Sequence, residues 1–338
     1  MRVGVIGCGA VSHYCHFPAL ARIPDVRVVA VADPDEAIRN RAIRTTGSIG
    51  FKSAEFLLAN TEVDAVIIAT PPATHADLGV MAARAGKLIY LEKPIATGIP
   101  DAMRLSREVE DAGIRAAVGF NRQSHPLFKR MRAMLADGAI GTVRAAQTTF
   151  CEPVPRDGMP RWKVARSNGG GVLLDLASHH IDAIRWIIGE EIISVRCDVK
   201  SDESEHDSAS VSMTLTSGSI VQSFYSFRSG YAERITVFGD AGMLELDRHR
   251  GSLTLTRSRR AGYGSRRSLM VPHLRDMPWK LRRLVRPAHD PSYHLALGAF
   301  ARNDSSLPSL ADGEASLRVV VAAEESATQG RAIDVTYA

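Results

Sequence analysis

Residues 2–12 read RVGVIGCGAVS. A short run of Val and Ile ends on Gly7-Cys8-Gly9, and Ala10, Val11 and Ser12 then open a helical segment. Glycines are needed where a strand turns into a helix and the backbone must come close to a pyrophosphate, whose charge then faces the positive end of the helix. Ser12 replaces the third glycine of that fingerprint and is still small enough for a helix to pack on its strand. A GxG alone says little; directly after a strand and before a helix it points to a dinucleotide. The other reading is a tight turn that holds no ligand.

Outward from this turn, the first 120 residues alternate two patterns. RVGVI, VRVVAVAD, VDAVIIAT, KLIYLE and RAAVGF are short apolar runs, and Asp35–Thr46, Thr74–Ala85 and Asp101–Ala112 between them read as helices. Near-continuous apolar strands separated by helices predict a doubly wound parallel sheet, an α/β Rossmann domain over residues 1–120. Asp33 ends the second strand. A carboxylate there accepts the ribose hydroxyls of an adenosine and repels a 2′-phosphate, which favours NAD, while Arg39 and Arg41 could counter it and admit NADP. Asp33 before Pro34 also suits a helix N-cap.

Beyond residue 120 the pattern changes. Ser124–Ala136 reads as a helix, Thr142–Phe150 as a strand, and a second helix centres on 175–188. From Ile192 to Thr256 apolar and polar residues alternate strictly; in SASVSMTLT, Ala209, Val211, Met213 and Leu215 point one way and the hydroxyl residues the other. Period two predicts an antiparallel sheet with one buried face. Two helices, 293–302 and 312–328, follow. Residues 121–338 are therefore read as an α+β domain with a large, mostly antiparallel open-faced sheet, whose polar face is free for solvent or a second subunit.

With 338 residues, 45% hydrophobic and 23% charged, the chain has the composition of a soluble globular protein rather than a disordered, collagenous or disulfide-stapled one. No apolar run approaches the roughly 18 residues of a membrane-spanning helix. The opening MRVGVIG is a strand rather than a signal peptide, so a cytoplasmic protein starting at Met1 is expected. Cys8, Cys15, Cys151 and Cys197 show neither a CxxC pair nor metal-ligand spacing, and neither a metal site nor a disulfide is expected. The net charge of +5 is one local feature: residues 257–286 hold ten Lys/Arg against Asp276, a net of +9, so the rest carries −4. That segment, with Tyr263 and Trp279, lacks any nucleic-acid reading motif and is expected to be a lid, a subunit contact or a solvated arm.

Three further stretches carry chemistry. Thr70-Pro71-Pro72-Ala73-Thr74-His75 and Glu92-Lys93-Pro94 follow strands at the end where parallel α/β sheets bind ligands, and Lys93 there can polarise a substrate oxygen. In GGGVLLDLASHHIDAIRWIIG, Asp175 and His179 stand four apart and share a helix face, an arrangement that makes a general base; His180 points elsewhere. The alternatives are a solvated lysine and a surface Asp–His pair.

Together GCGAVS, TPPATH, EKP, GFNRQ and GGG…DLASH resemble, in order and over nearly the whole chain, the Gfo/Idh/MocA family of nicotinamide-dependent oxidoreductases. That resemblance implies a Rossmann domain, an open-sheet domain, NAD or NADP as cofactor, a homodimer or homotetramer, and oxidation or reduction of a hydroxyl or keto carbon on a sugar, amino sugar or cyclitol. It makes Lys93 the contact to the reacting oxygen and nicotinamide, after a bond to Pro94 that is often cis, and His179 the acid/base with Asp175 beside it. Gly7, Gly9, Ala10, Val11, Asp33, Thr70, Pro71, His75, Glu92 and Asn121 would face the cofactor. Arg122, Trp162, Lys163 and Arg166 would face the substrate. Gln123 stands where many relatives carry a second arginine. Two other activities fit the same motifs: an NAD-dependent glycoside hydrolase working by transient oxidation and elimination, and a cofactor sensor without catalysis.

Overall fold

The computed structural model describes residues 1–59, 62–154, 158–257, 268–270 and 290–337, the segment 268–270 by its backbone. The basic segment read at 257–286 therefore lies outside the described residues except for Arg257 and the strand Ser268–Met270. The chain forms two compact units. One comprises Met1–Ser124, Ser167–Gly169 and Asp290–Leu317; the other comprises His125–Arg166, Gly170–His289 and Arg318–Ala338.

The first unit is built on six strands: β1 Arg2–Ile6, β2 Arg27–Ala32, β3 Ile49–Phe51, β4 Ala65–Ile68, β5 Leu88–Leu91 and β6 Ala116–Val118. Their order is β3-β2-β1-β4-β5-β6, and every neighbouring pair is parallel. The order reverses between β1 and β4, so the carboxyl ends of those strands open the crevice in which such sheets bind ligands. Strands buried on both faces must be apolar throughout, which is why Ala65–Ile68 has no exposed position. The helix Glu36–Thr46 is capped by Asp35, which accepts from the Ile38 amide at 2.9 Å, and not by Asp33. Its end is closed by Gly47 at φ 69°. The core gathers Val3, Val5, Val31, Ile67 and Tyr90, together with Ala296, Leu297 and Phe300 from the helix Pro291–Ala301. Residues 290–317, read above with the second domain, thus complete the first unit, because the helix 291–301 buries Ala296, Leu297 and Phe300 there.

The second unit holds a nine-stranded sheet. Its strands are β7 Val143–Cys151, β8 Ile192–Lys200, β9 Ser208–Leu215, β10 Ile220–Ser226, β11 Ala232–Gly239, β12 Gly242–Asp247, β13 Ser252–Arg257, β14 Ser268–Met270 and β15 Ile333–Asp334. They run in the order β14-β13-β12-β11-β7-β10-β9-β8-β15, antiparallel except where β10 lies parallel to β7. Rows of paired residues share a face. Val221, Ala146 and Val237 form one buried row, and the helix Pro126–Ala136 and the segment Leu173–Ala177 pack on that side. The opposite face carries the expected Ser210, Ser212 and Thr214. It also carries Ile220, Phe224 and Phe238, exposed to 50%, 41% and 37%, so it is less polar than the alternation alone suggests.

No described helix is long and apolar enough to cross a membrane.

Candidate active site

In the first unit, the loop after β1 is shaped by two glycines with different constraints. Gly7 has φ +87°, and a Cβ there would lie 2.5 Å from the Ala69 carbonyl oxygen at the end of β4. A Cβ on Gly9 would meet nothing within 4 Å, so packing does not require that glycine, and the space beside it suits the close approach of a pyrophosphate. Beside it Ala10 is exposed and Val11 half-buried, at the first helical residues, whose amides have no intrahelical partner. Ser12 does more than stay small, because its hydroxyl donates to the Gly7 carbonyl at 2.6 Å and closes the loop. Cys8 is no nucleophile: burial, then the nearby Asp33 charge, push its thiol up to about 12.

Asp33 braces this loop. One carboxylate oxygen accepts from the Cys8 amide at 2.9 Å and the other from the Asp35 amide at 3.0 Å. Each keeps a lone pair for a ribose hydroxyl. Arg39 is buried and donates to the carbonyls of Asp33 and Pro34, at 2.7 and 3.3 Å. Its guanidinium is thus engaged with the backbone, while the exposed Arg41 lies over the Tyr14 ring at 5.8 Å. These residues fit a dinucleotide whose adenosine ribose is unphosphorylated.

The two neighbouring loops are tied by His75. Its Nε2 lies 2.9 Å from the Thr70 carbonyl and its Nδ1 2.7 Å from the Pro94 carbonyl. Burial holds the ring below the ordinary imidazole value, although both carbonyls and Glu92 oppose that shift. A neutral ring donates to one of the two carbonyls at a time. Thr70 also accepts from the Thr74 hydroxyl at 2.7 Å, and Pro71 is exposed at the turn. Gly169, at φ +90°, comes against Pro72, where a Cβ would be 2.6 Å from the ring. The Lys93–Pro94 bond is cis. Lys93 is half-buried, and Glu92 before it is buried with Oε1 2.8 Å from His16 Nε2. Asn121 and Arg122 are both buried, and Arg122 donates to Asn121 Oδ1 at 2.9 Å.

In the second unit, a wider helical turn spans Leu173–Ala177 before the regular helix Ser178–Ile184. Such π turns recur at functional sites. Asp175 lies in the wide turn and His179 in the helix, both buried. Asp175 Oδ2 sits 2.7 Å from Lys163 Nζ. That ammonium also lies over the rings of Trp162 and Phe227, at 5.4 and 5.3 Å. Burial works against its charge, but Asp175 outweighs this, and Lys163 is held above the usual lysine value. Lys163 and Asp175 therefore form a charged pair with aromatic walls. His180 stacks on Phe150 at 5.2 Å in the core, and the His179 ring lies 6.0 Å from the same phenyl.

The glycines before this turn are packed tightly. A Cβ on Gly170 would fall 2.4 Å from the Lys163 carbonyl oxygen, and Gly171 takes φ +88°. Arg166 forms a two-pronged ion pair with Glu324, NH2 to Oε2 at 2.9 Å, and its amide donates to Glu205 at 2.7 Å. It anchors the loop rather than standing free for substrate. Sequence reading missed His16, Phe227, Glu205 and Glu324, whose roles come from long-range pairing that no local pattern announces. Among the described residues no cluster of His, Cys, Asp or Glu could hold a metal ion.

Two family descriptions match this chain. Residues 1–120 match the oxidoreductase family with an NAD-binding Rossmann fold, and residues 128–245 match the GFO/IDH/MocA C-terminal domain. The inositol 2-dehydrogenase of Rhizobium meliloti is 33% identical over 259 residues, covering 74% of this chain and 76% of that protein. The myo-inositol 2-dehydrogenase of Thermotoga maritima is 30% identical, covering 79% and 81%. A crystal structure of a putative myo-inositol dehydrogenase from Sinorhizobium meliloti superposes with a TM-score of 0.80 at 29% identity, covering 99% of this chain and all of that one.

Proposed function

This chain belongs to the Gfo/Idh/MocA family of oxidoreductases with an NAD-binding Rossmann domain, and from that premise we propose that it oxidises a secondary hydroxyl of a cyclitol or a related sugar with NAD. The reading is supported above all by the likeness to two inositol dehydrogenases at 33% and 30% identity. Gly7, Gly9, Ala10, Val11 and Asp33 would hold the dinucleotide, with Thr70, Pro71 and Asn121 beside it. The engagement of Arg39 with backbone carbonyls supports NAD over NADP.

A bound NAD would supply the acceptor for the substrate's hydride. The residues of this chain handle the proton and the oxygen. His179 accepts the hydroxyl proton, and Asp175 stabilises the charged ring that results. The Lys93 ammonium stabilises the developing alkoxide. Lys163 pairs with Asp175, and Trp162 offers an aromatic face to a ring of hydroxyls. We further propose that a second copy of the chain covers the face bearing Ile220, Phe224 and Phe238.

Purified protein assayed with NAD and NADP against a panel of inositols, sugars and their keto forms tests this reading. Reduction of NAD by one or more cyclitols, with tighter binding of NAD than of NADP, is the expected result. Release of an aglycone from glycosides without added cofactor would establish the eliminating hydrolase instead.

A further inference from the structure

The carboxylate of Glu92 is buried, and its partner comes from the helix after the glycine loop: Oε1 lies 2.8 Å from Nε2 of His16, whose side chain is wholly buried. The two residues are 76 apart in sequence. We propose that Glu92 and His16 form a positioning pair that fixes the Lys93 loop against the dinucleotide helix, so that Glu92 acts through Lys93 rather than by touching the cofactor. This rests on the reading of Lys93 as the partner of the reacting oxygen.

The surroundings make the pair stiff. The Tyr90 and Tyr293 rings stand edge-to-face with the His16 ring, at 6.4 and 5.7 Å between centroids. On the far side only backbone fits, since a Cβ on Gly119 would lie 3.0 Å from Glu92 Oε2. Burial, and then the Glu92 charge, drive the hydroxyls of Tyr90 and Tyr293 well above the usual phenol value. A charge-assisted hydrogen bond in such a dry setting is short and directional, and it resists displacement of either partner. Covalent connection extends it at both ends. Lys93 is the next residue after Glu92, and His16 closes the turn Ser12–His16 whose first hydroxyl holds the Gly7 carbonyl. One side-chain contact therefore joins the loop that takes pyrophosphate to the loop that carries the cation.

The variants Glu92→Leu, Glu92→Gln, His16→Leu and the double leucine variant test this in the full-length protein. Three quantities are measured: NAD affinity by calorimetry, the acetylation rate of Lys93 by acetic anhydride relative to Lys52, and turnover on the best cyclitol. The first two need no substrate, so they remain readable if the cyclitol reading fails. Glu92→Leu is expected to change Lys93 acetylation by about threefold or more and to lower turnover about tenfold, with NAD affinity kept within about threefold. Glu92→Gln, which keeps a hydrogen bond to His16, restores most of both. The double variant is no worse than the poorer single one, as for two partners of a single contact. If Glu92→Leu does not fold, His16→Leu, which removes the same contact from its other side, set against His16→Gln, which keeps a hydrogen-bonding side chain, carries the same comparison. A tenfold loss of NAD affinity (about 1.4 kcal/mol) with Lys93 reactivity unchanged would overturn the proposal and make Glu92 a cofactor ligand. So would additive losses in the double variant.

Discussion

Gly7 and Gly9 stand two residues apart and are glycines for different reasons, which makes them separable by experiment. Gly7→Ala forces a Cβ to 2.5 Å from a backbone oxygen at φ +87°, and a loss of about 2 kcal/mol or more in urea unfolding is expected. Gly9→Ala meets nothing; its stability stays within about 0.5 kcal/mol of the parent, while calorimetry registers weaker NAD binding. A melting temperature lowered as far as in Gly7→Ala would remove the argument that Gly9 faces a ligand. The reactive side chains are tested the opposite way. Lys93→Met and His179→Ala should keep NAD affinity and lose about 10²–10⁴ in turnover, and Asp175→Asn should lose less, since the amide still hydrogen-bonds Lys163. Near-normal turnover in His179→Ala would move the proton to Lys93 or to water. These residues were legible because each sits in a local motif. His16 and Glu324 were not, since their partners lie 76 and 158 residues away and no periodicity of the chain records such a distance.

Among the elements, the connection from β8 to β9 holds the second unit's site loop. The Val172 and Glu205 amides donate to the His206 and Val164 carbonyls, at 2.9 and 3.0 Å, and Asp207 organises the turn. Its buried carboxylate accepts from the amides of Asp202, Glu203 and Ser204, and Arg228 lies beside it. Burial alone would raise its pKa, but those donors outweigh it and the carboxyl is held below the usual carboxylate range. A depressed value stabilises the fold fully above the unfolded pKa of about 3.9 and is lost as pH falls through the folded value. Asp207→Asn is expected to cost about 1–3 kcal/mol at pH 7, and less of the remaining stability should depend on pH between about 5 and 2. Equal acid sensitivity in denaturant titrations of both proteins would assign that dependence to other carboxylates. Element types were readable wherever a pattern ran long enough. β9 shows its period in eight residues, whereas β3, three residues with Gly50 at its centre, and the helix Ala54–Leu58 are too short to show one.

For the molecule as a whole, the exposed row-mates on the large sheet bear on assembly. Ile220 and Phe238 both pair with Ala145, and Phe224 pairs with Thr149, so apolar side chains recur on the outer face of adjacent strands. Stable interfaces bury about 1,200–2,000 Å² with an apolar centre, and the double variant Phe224→Glu/Phe238→Glu should sediment as a smaller species than the parent. An unchanged sedimentation coefficient would place any association elsewhere. The return of residues 290–317 to the first unit has a consequence for how the protein is made. Residues 1–124 leave the ribosome well before Leu297 and Phe300, so Tyr90 and its neighbours await a helix made only after the second unit's sheet. A nascent chain arrested near residue 200 should therefore be cut readily by protease within the Rossmann sheet, and one arrested well past residue 317 should resist. Until that helix arrives the core of the Rossmann half stays open on one side, and its closure waits for the other half to be synthesised.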